Sequence, residues 1–245
     1  MTQCRNCQAP LEGAFCPNCG QKDINLERPT HQLIGEVLRE SFDVDGRAFR
    51  TIRALIRHPG YLTSEFLAGR RRSFTSPVRL YLLISISFFV LISWLASEGV
   101  LLMPEAGLEI DAASQARFIS DLLPRLMFVL LPVFALLLKI VFPGRLLFDH
   151  AVFSIHFHSV AYVTLAFQLP LEKVADEHWL PMLAQVVLFG YLLSYFVISI
   201  RRVYHAGWIV ATAKSMVIFV VYLIIFGVVV GATSDLHLLD GYAKT

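Results

Sequence analysis

One apolar segment, together with the basic residues in front of it, limits most strongly what this chain can fold into. Leu80–Ser97 contains no charged side chain and is rich in Leu, Ile and Phe. An α-helix of about this length crosses the roughly 30 Å of hydrocarbon in a bilayer. Arg70, Arg71, Arg72 and Arg79 precede this run, and such arginines anchor a span at the inner leaflet. We therefore expect a membrane protein whose N-terminal part lies in the cytoplasm.

Four more apolar segments predict that the rest of the chain also crosses the membrane. Hydrophobic residues make up 56% of the chain and charged residues only 16%, which favours lipid over water as the surroundings of these segments. The predicted fold class is an all-α integral membrane bundle of about five transmembrane helices, with a small N-terminal zinc ribbon and amphipathic cytoplasmic helices. The expected spans are residues 78–97, 122–142, 151–171, 179–200 and 208–234, within a transmembrane domain of residues 77–245.

The distribution of charge predicts how these helices are oriented. With the N-terminus in the cytoplasm, five spans place the C-terminus on the other side of the membrane. Lys and Arg then outnumber Asp and Glu in the cytoplasmic parts, whereas acidic residues predominate in the outer parts. Because basic loops remain on the cytoplasmic side, this asymmetry independently favours the same orientation.

The four cysteines of the chain all lie near its N-terminus, in two Cys-x-x-Cys pairs. Cys4 and Cys7 form the first pair, and Cys16 and Cys19 form the second. Two such turns supply the thiolates of a tetrahedral site, so we expect a structural Zn²⁺ ion in a zinc ribbon of residues 1–22. Two disulfides or a redox pair are the alternative, which the reducing cytoplasm disfavours. So small a module would obtain most of its folding free energy from the metal.

The charge of the ribbon bears on its partners. Arg5 and Lys22 are balanced by Glu12 and Asp23, so the ribbon lacks the basic surface of a nucleic-acid-binding module. We therefore expect no nucleic acid as a partner. The expected partners are the lipid bilayer and a cytoplasmic protein that binds the N-terminal head, and a homo-oligomer is left open.

Residues 23–76 join the ribbon to the first span and contain three predicted helices, within His31–Phe42, Arg47–Arg57 and Thr63–Ala68. The second has an apolar stripe on one side and a basic face on the other, an arrangement that suits the interface of the inner leaflet. The same stripe could equally pack against the cytoplasmic face of the membrane body. The stripe consists of Phe49, Ile52, Leu55 and Ile56, and the basic face of Arg47, Arg50, Arg53 and Arg57.

Ionisable side chains at membrane depth are the remaining candidates for chemistry, because placing them in lipid costs free energy. They are Asp149, His150, His156, His158 and Lys214. His156 and His158 point in nearly opposite directions on one helix, so they cannot bind a single metal ion together. Histidines that face the bundle and form hydrogen bonds are one interpretation, and a proton or small-solute pathway is the other.

The sequence has no recognisable catalytic motif. It contains no Walker-type phosphate loop, no Gly-rich dinucleotide turn and no Gly-x-Ser-x-Gly nucleophile elbow. We therefore expect a membrane-tethered interaction or regulatory platform rather than an enzyme, and assign no catalytic residue. A small-solute or proton transporter that uses Asp149, His150, His156 and Lys214 is the alternative, and a lipid-directed membrane enzyme is a third hypothesis.

Six motifs distributed along the chain occur together in one known family. The motifs are Phe15-Cys16-x-x-Cys19-Gly20-Gln21-Lys22, His58-Pro59-Gly60, Gly69-Arg70-Arg71-Arg72-Ser73-Phe74, Pro77-Val78-Arg79-Leu80-Tyr81-Leu82, Phe148-Asp149-His150-Ala151-Val152-Phe153-Ser154-Ile155-His156-Phe157-His158-Ser159 and Arg202-Val203-Tyr204. With these motifs the chain resembles the bacterial membrane-protein family catalogued as domain of unknown function 3667. The resemblance implies a bacterial inner-membrane protein with a cytoplasmic zinc ribbon, and it implies no activity, substrate or catalytic residue.

Overall fold

The computed structural model describes residues 3–23, 47–98, 118–175 and 179–242, and these residues are mainly helical. Two isolated β-bridges in the N-terminal segment are the only β-pairing among the described residues. A π-helical turn, Phe118–Leu122, leads into the fourth helix. The predicted helix within His31–Phe42 lies outside the described residues. The helices are α1 (Ala48–Arg57), α2 (Tyr61–Leu67), α3 (Pro77–Ser97), α4 (Leu123–Val141), α5 (Leu147–Ala175), α6 (Trp179–Tyr204) and α7 (Trp208–Tyr242).

The last five helices are the predicted membrane spans. Within the described residues, five helical stretches are long and apolar enough to cross a bilayer, which confirms the predicted number. Large apolar side chains such as Ile140, Ile209 and Met216 are exposed on the outer faces, as expected for helices surrounded by lipid. The stretches are Pro77–Ser97, Ser120–Val141, Leu147–Leu171, Trp179–Tyr204 and Trp208–Thr233.

Helix α5 lies at the centre of the bundle and packs against α3, α4 and α6, while α7 closes the bundle against α4 and α6. About half of the spanning segment of α5 is buried (56%), compared with 6% of that of α7. Phe134, Phe157 and Phe196 join three of these helices, with ring centroids 5.5 Å apart for the first two and 4.6 Å for the last two. Such aromatic packing contributes beyond the area that it buries.

The helices do not all begin at the same level. We call the end at which α3, α5 and α7 begin, and α4 and α6 end, the head end. Pro77, the first residue of α3, lines one small cavity together with His156 of α5. The nine residues of α5 before His156 correspond to about 14 Å of helix. The beginning of α5 therefore extends beyond the first residue of α3. Helices α1 and α2 pack against this projecting part of α5.

Candidate functional site: the cysteine cluster and its contact with the bundle

The two Cys-x-x-Cys pairs come together into one cluster. One ligand atom from each of Cys4, Cys7, Cys16 and Cys19 lies within 4.8 Å of all the others. The Sγ atoms of Cys4 and Cys19 are 3.7 Å apart, and those of Cys7 and Cys16 are 3.5 Å apart. A tetrahedral site with Zn–S bonds of about 2.3 Å places its sulfur atoms about 3.8 Å apart. The donor set and its spacing therefore fit a zinc ion.

Both pairs use the same backbone turn. The backbone N–H of Gln8 donates to the carbonyl of Cys4, and that of Gly20 donates to the carbonyl of Cys16, each at 2.9 Å. Gln8 and Gly20 have φ angles of 64° and 69°, in the left-handed region. Only the second turn has the glycine that this conformation favours. The repeated geometry aims each pair of sulfur atoms at the same point.

Hydrogen bonding and burial shift the pKa values of two thiols of the cluster in opposite directions. The backbone N–H of Cys19 hydrogen-bonds the sulfur of Cys16 and lowers the pKa of that thiol to about 6. Burial raises the pKa of the Cys19 thiol to about 11. A cation bound among the four sulfur atoms would favour the ionised form of both thiols.

We call residues 3–23, which contain the four cysteines, the cysteine module. Gln21 fixes this module to the loop that leads into α3. Its side chain is buried and donates a hydrogen bond from Nε2 to the carbonyl of Gly69 at 2.7 Å. Its Oε1 accepts the backbone N–H groups of Arg71 at 3.0 Å and of Arg72 at 3.2 Å. One amide thus satisfies three backbone groups of the segment Gly69–Arg72, which we call the arginine loop.

Two further contacts close this interface. The guanidinium of Arg72 donates from Nε to the carbonyl of Cys19 at 2.9 Å. Gly69 has a φ of 81°, and a Cβ built on it would lie 2.7 Å from Cδ of Arg5. The close approach of Arg5 and the left-handed backbone both require glycine at this position. The cysteine module therefore lies directly on the arginine loop.

The arginines predicted to anchor the chain in the inner leaflet make contacts within the head. Arg70 forms a two-pronged ion pair with Glu65, and its Nε lies 2.7 Å from Oε2. This pairing raises the pKa of Arg70. Arg71 lies over the ring of Phe66 at 5.7 Å, and Arg79 also has a partner in the structure. Their role as leaflet anchors, together with that of Arg72, stays a prediction.

The turn between α1 and α2 packs tightly on the head end of α6. Gly60 has a φ of 69°, and a Cβ built on it would lie 2.9 Å from Cα of Ser199. Arg202 donates from Nη1 to the carbonyl of Pro59 at 2.6 Å. The His58-Pro59-Gly60 motif is therefore a docking turn, in which a residue with a side chain would push α2 away from α6.

The apolar stripe of α1 packs against the membrane body, which decides between the two interpretations of this helix. Leu55 is buried, Ile52 is partly buried against the core, and Ile56 is partly buried. Phe49, however, is 79% exposed and lies outside the packed part of the stripe. Its position beside Arg53 and away from the buried Thr51 and Leu55 explains the exposure, because this side of α1 faces away from the bundle.

Two tyrosines of α6 satisfy the C-terminal carbonyls of α1. The hydroxyl of Tyr195 donates to the carbonyl of Leu55, and that of Tyr191 donates to the carbonyl of Ile56, each at 2.8 Å. The last carbonyls of a helix otherwise lack partners, and leaving them unpaired beside an apolar surface is costly. Both tyrosines therefore serve as caps for a helix on the other side of the interface.

The three histidines of α5 bind three separate partners. His156 Nδ1 lies 2.9 Å from the hydroxyl of Thr63 in α2. His158 Nε2 lies 2.8 Å from the hydroxyl of Tyr222 in α7. His150 Nδ1 lies 2.8 Å from the hydroxyl of Tyr204 in α6, and its Nε2 has no hydrogen-bond partner among the described residues. Each imidazole thus joins α5 to a different helix.

Asp149 and Lys214 lie near the head end but do not contact each other. The nearest oxygen of Asp149 is 3.9 Å from Arg145. Lys214 donates to the carbonyl of Val141 at 2.9 Å and lies over the ring of Phe142 at 4.3 Å. The structure therefore does not bring the five predicted polar residues together, although their part in a pathway stays untested.

The most specific contacts of the head were absent from the sequence prediction. Gln21, Gly60 and the tyrosine pair, Tyr191 and Tyr195, act on partners far along the chain, and no spacing rule connects them. The available signals were local: Gln21 directly follows the glycine of the second cysteine turn, and Gly60 ends a Pro-Gly pair typical of turns.

The comparison with known families agrees with the resemblance drawn from the motifs. Residues 45–89 match the family model described as "Protein of unknown function (DUF3667)". The matched stretch contains α1, the turn at Gly60, α2, the arginine loop and the first part of α3. It therefore covers the surface on which the cysteine module lies. Searches of curated proteins and of solved structures gave no match.

Proposed function

We propose that this chain is a bacterial inner-membrane protein that presents a zinc-stabilised head to the cytoplasm as an interaction platform. The observation that carries the proposal is the buried amide of Gln21, which holds the cysteine module against the arginine loop through three hydrogen bonds. A module fixed in this way keeps one orientation relative to the bundle. A fixed orientation favours binding, because a partner then meets a preorganised surface.

The proposed cofactor is a structural Zn²⁺ ion held by Cys4, Cys7, Cys16 and Cys19. Its support is the four-sulfur cluster, whose spacing fits tetrahedral coordination. A bound zinc ion would supply positive charge that stabilises the thiolates and would join the two turns of the module. All four ligand positions are taken by cysteine, so no position is left for a substrate.

The outward side of the module is the proposed contact surface for a partner. Phe15 is 61% exposed, directly precedes the second Cys-x-x-Cys pair and forms a β-bridge with Lys22. An exposed aromatic side chain on a rigid turn is a common anchor in protein interfaces. The opposite side of the module is occupied by the arginine loop.

The contacts of the polar residues favour the platform over the transport alternative. His156, His158 and His150 each hydrogen-bond a hydroxyl of a different helix. A conducting pathway needs groups that exchange protons or solute along one connected route. Separate, paired histidines instead resemble bonds that hold helices together.

Affinity capture from detergent extracts tests the platform. We expect the set of captured partners to change in Cys4→Ser/Cys7→Ser and in Gln21→Ala, because both changes release the module from its fixed position. Gln3→Ala is the matched control, since Gln3 is an exposed glutamine of the same module. Identical partner sets for the wild type and both test variants would contradict the proposal.

A further inference from the structure

Helix α1 lies along the head end of the bundle at the level where the spans begin. The hydroxyl of Thr51 accepts the backbone N–H of Thr75 at 3.0 Å, just ahead of the start of α3. At its other end, α1 is capped by Tyr191 and Tyr195, which belong to the apolar stretch of α6. One end of α1 is therefore fixed beside the start of α3, and the other end lies against the apolar stretch of α6.

The outer face of α1 carries three exposed arginines. Arg50, Arg53 and Arg57 follow one side of the helix, opposite the buried Thr51 and Leu55. We call these three residues the arginine face. In the part of the chain that the structure describes, they form no hydrogen bond or ion pair, whereas Arg70 is paired with Glu65 and Arg72 with the carbonyl of Cys19. Arg47, which the sequence grouped with them, instead donates to the carbonyl of Arg72.

An exposed aromatic side chain lies next to this basic surface. Phe49 lies on the same side of α1 and is 79% exposed. A bulky apolar side chain among arginines is typical of helices that lie in the headgroup layer, where the ring enters the acyl boundary and the guanidinium groups meet phosphate.

From these observations we infer that the arginine face and Phe49 bind anionic lipids, with the guanidinium groups of Arg53 and Arg57 on the lipid phosphate. Guanidinium binds phosphate through two parallel hydrogen bonds. At the edge of the hydrocarbon layer, the lipid headgroups supply this phosphate. The inference goes beyond the proposed platform, since it concerns α1 and not the cysteine module. It also assigns lipid contact to the arginine face, whereas the sequence left open whether the apolar stripe of α1 meets lipid or the membrane body.

Lipid retention by the purified full-length chain tests this inference. Native mass spectrometry would count the phosphatidylglycerol molecules bound by the wild type, with phosphatidylcholine as the zwitterionic comparison. We expect a preference for phosphatidylglycerol that weakens by about fivefold for each of Arg53→Gln and Arg57→Gln, and that fades as salt rises. Arg125→Gln, an exposed arginine near the other end of the bundle, is the matched control and should leave the preference unchanged.

The two substitutions remove no described contact, so both variants should keep the helix content and melting temperature of the wild type. A folded Arg53→Gln/Arg57→Gln protein that retains phosphatidylglycerol as well as the wild type would overturn the inference. An acidic protein would then be the remaining candidate partner of the arginine face. Equal retention of the two lipids by the wild type would overturn it as well.

Discussion

The side-chain amide of Gln21 donates a hydrogen bond to the backbone carbonyl of Gly69 at 2.7 Å, across 48 positions of the chain. The same amide accepts two backbone N–H groups of the arginine loop. This single side chain connects the cysteine module to the segment that enters the first span. The cysteine cluster and the membrane bundle are thereby parts of one structure.

We predict that Gln21→Ala loosens the cysteine module from the arginine loop. The change leaves two backbone N–H groups and one carbonyl without their partner, which costs on the order of 1–3 kcal/mol. Trypsin should then cut faster after Arg71 and Arg72, as measured by the rate at which the N-terminal fragment appears. Gln3→Ala should be cut at the wild-type rate, and equal rates for all three proteins would refute the proposed role of Gln21.

Removal of metal should release the same module. The cluster has four sulfur atoms and little apolar core, so a chelator should unfold it without unfolding the bundle. Alkylation followed by mass spectrometry should find the cysteines protected before chelation and modified afterwards, while the helix content stays nearly constant. Cysteines that react equally fast in both states would show that no metal holds the module.

Gly60→Ala should weaken the packing of α2 on α6. The substitution places a methyl group 2.9 Å from Cα of Ser199 and forces alanine into a left-handed conformation, so we expect a loss of about 1–3 kcal/mol. Thermal unfolding in nanodiscs would measure it. Gly144→Ala is the control, since nothing lies within 4 Å of a Cβ at that position. Equal melting temperatures for both variants would count against the tight turn.

His156 and Thr63 should be coupled in stability. Their hydrogen bond joins α5 to α2 inside the protein, and such bonds contribute about 0.5–1.5 kcal/mol. A double-mutant cycle with Thr63→Val and His156→Leu would measure the coupling free energy from unfolding. The control cycle combines His156→Leu with Thr164→Val, because the hydroxyl of Thr164 hydrogen-bonds only within α5. A coupling near zero for the first pair would remove the structural role assigned to His156.

The general architecture was predictable because it depends on local composition. Apolar segments with few charges, each long enough to cross a bilayer, predicted the five spans, and the spacing of Cys4, Cys7, Cys16 and Cys19 predicted their cluster. Both signals arise from nearby residues. The stripe of α1 also followed from helical periodicity, apart from Phe49.

The contacts between segments were not predictable from this one sequence. Periodicity indicates which side of α1 is apolar, but it does not say whether lipid or α6 covers that side. The hydroxyl of Tyr191 meets the carbonyl of Ile56 across 135 positions of the chain, and no local rule relates the two. Similarly, histidines in an apolar segment suggest polar partners, and only the packing of α5 identifies Thr63, Tyr204 and Tyr222.

Hydrogen exchange at the backbone amides of Arg71 and Arg72 tests most directly whether the cysteine module is fixed to the bundle. Both amides donate to Gln21 in the structure. In the membrane-embedded protein we predict slow exchange when zinc is bound and fast exchange after chelation or in Gln21→Ala. Fast exchange at both amides in the zinc-bound wild type would contradict the account.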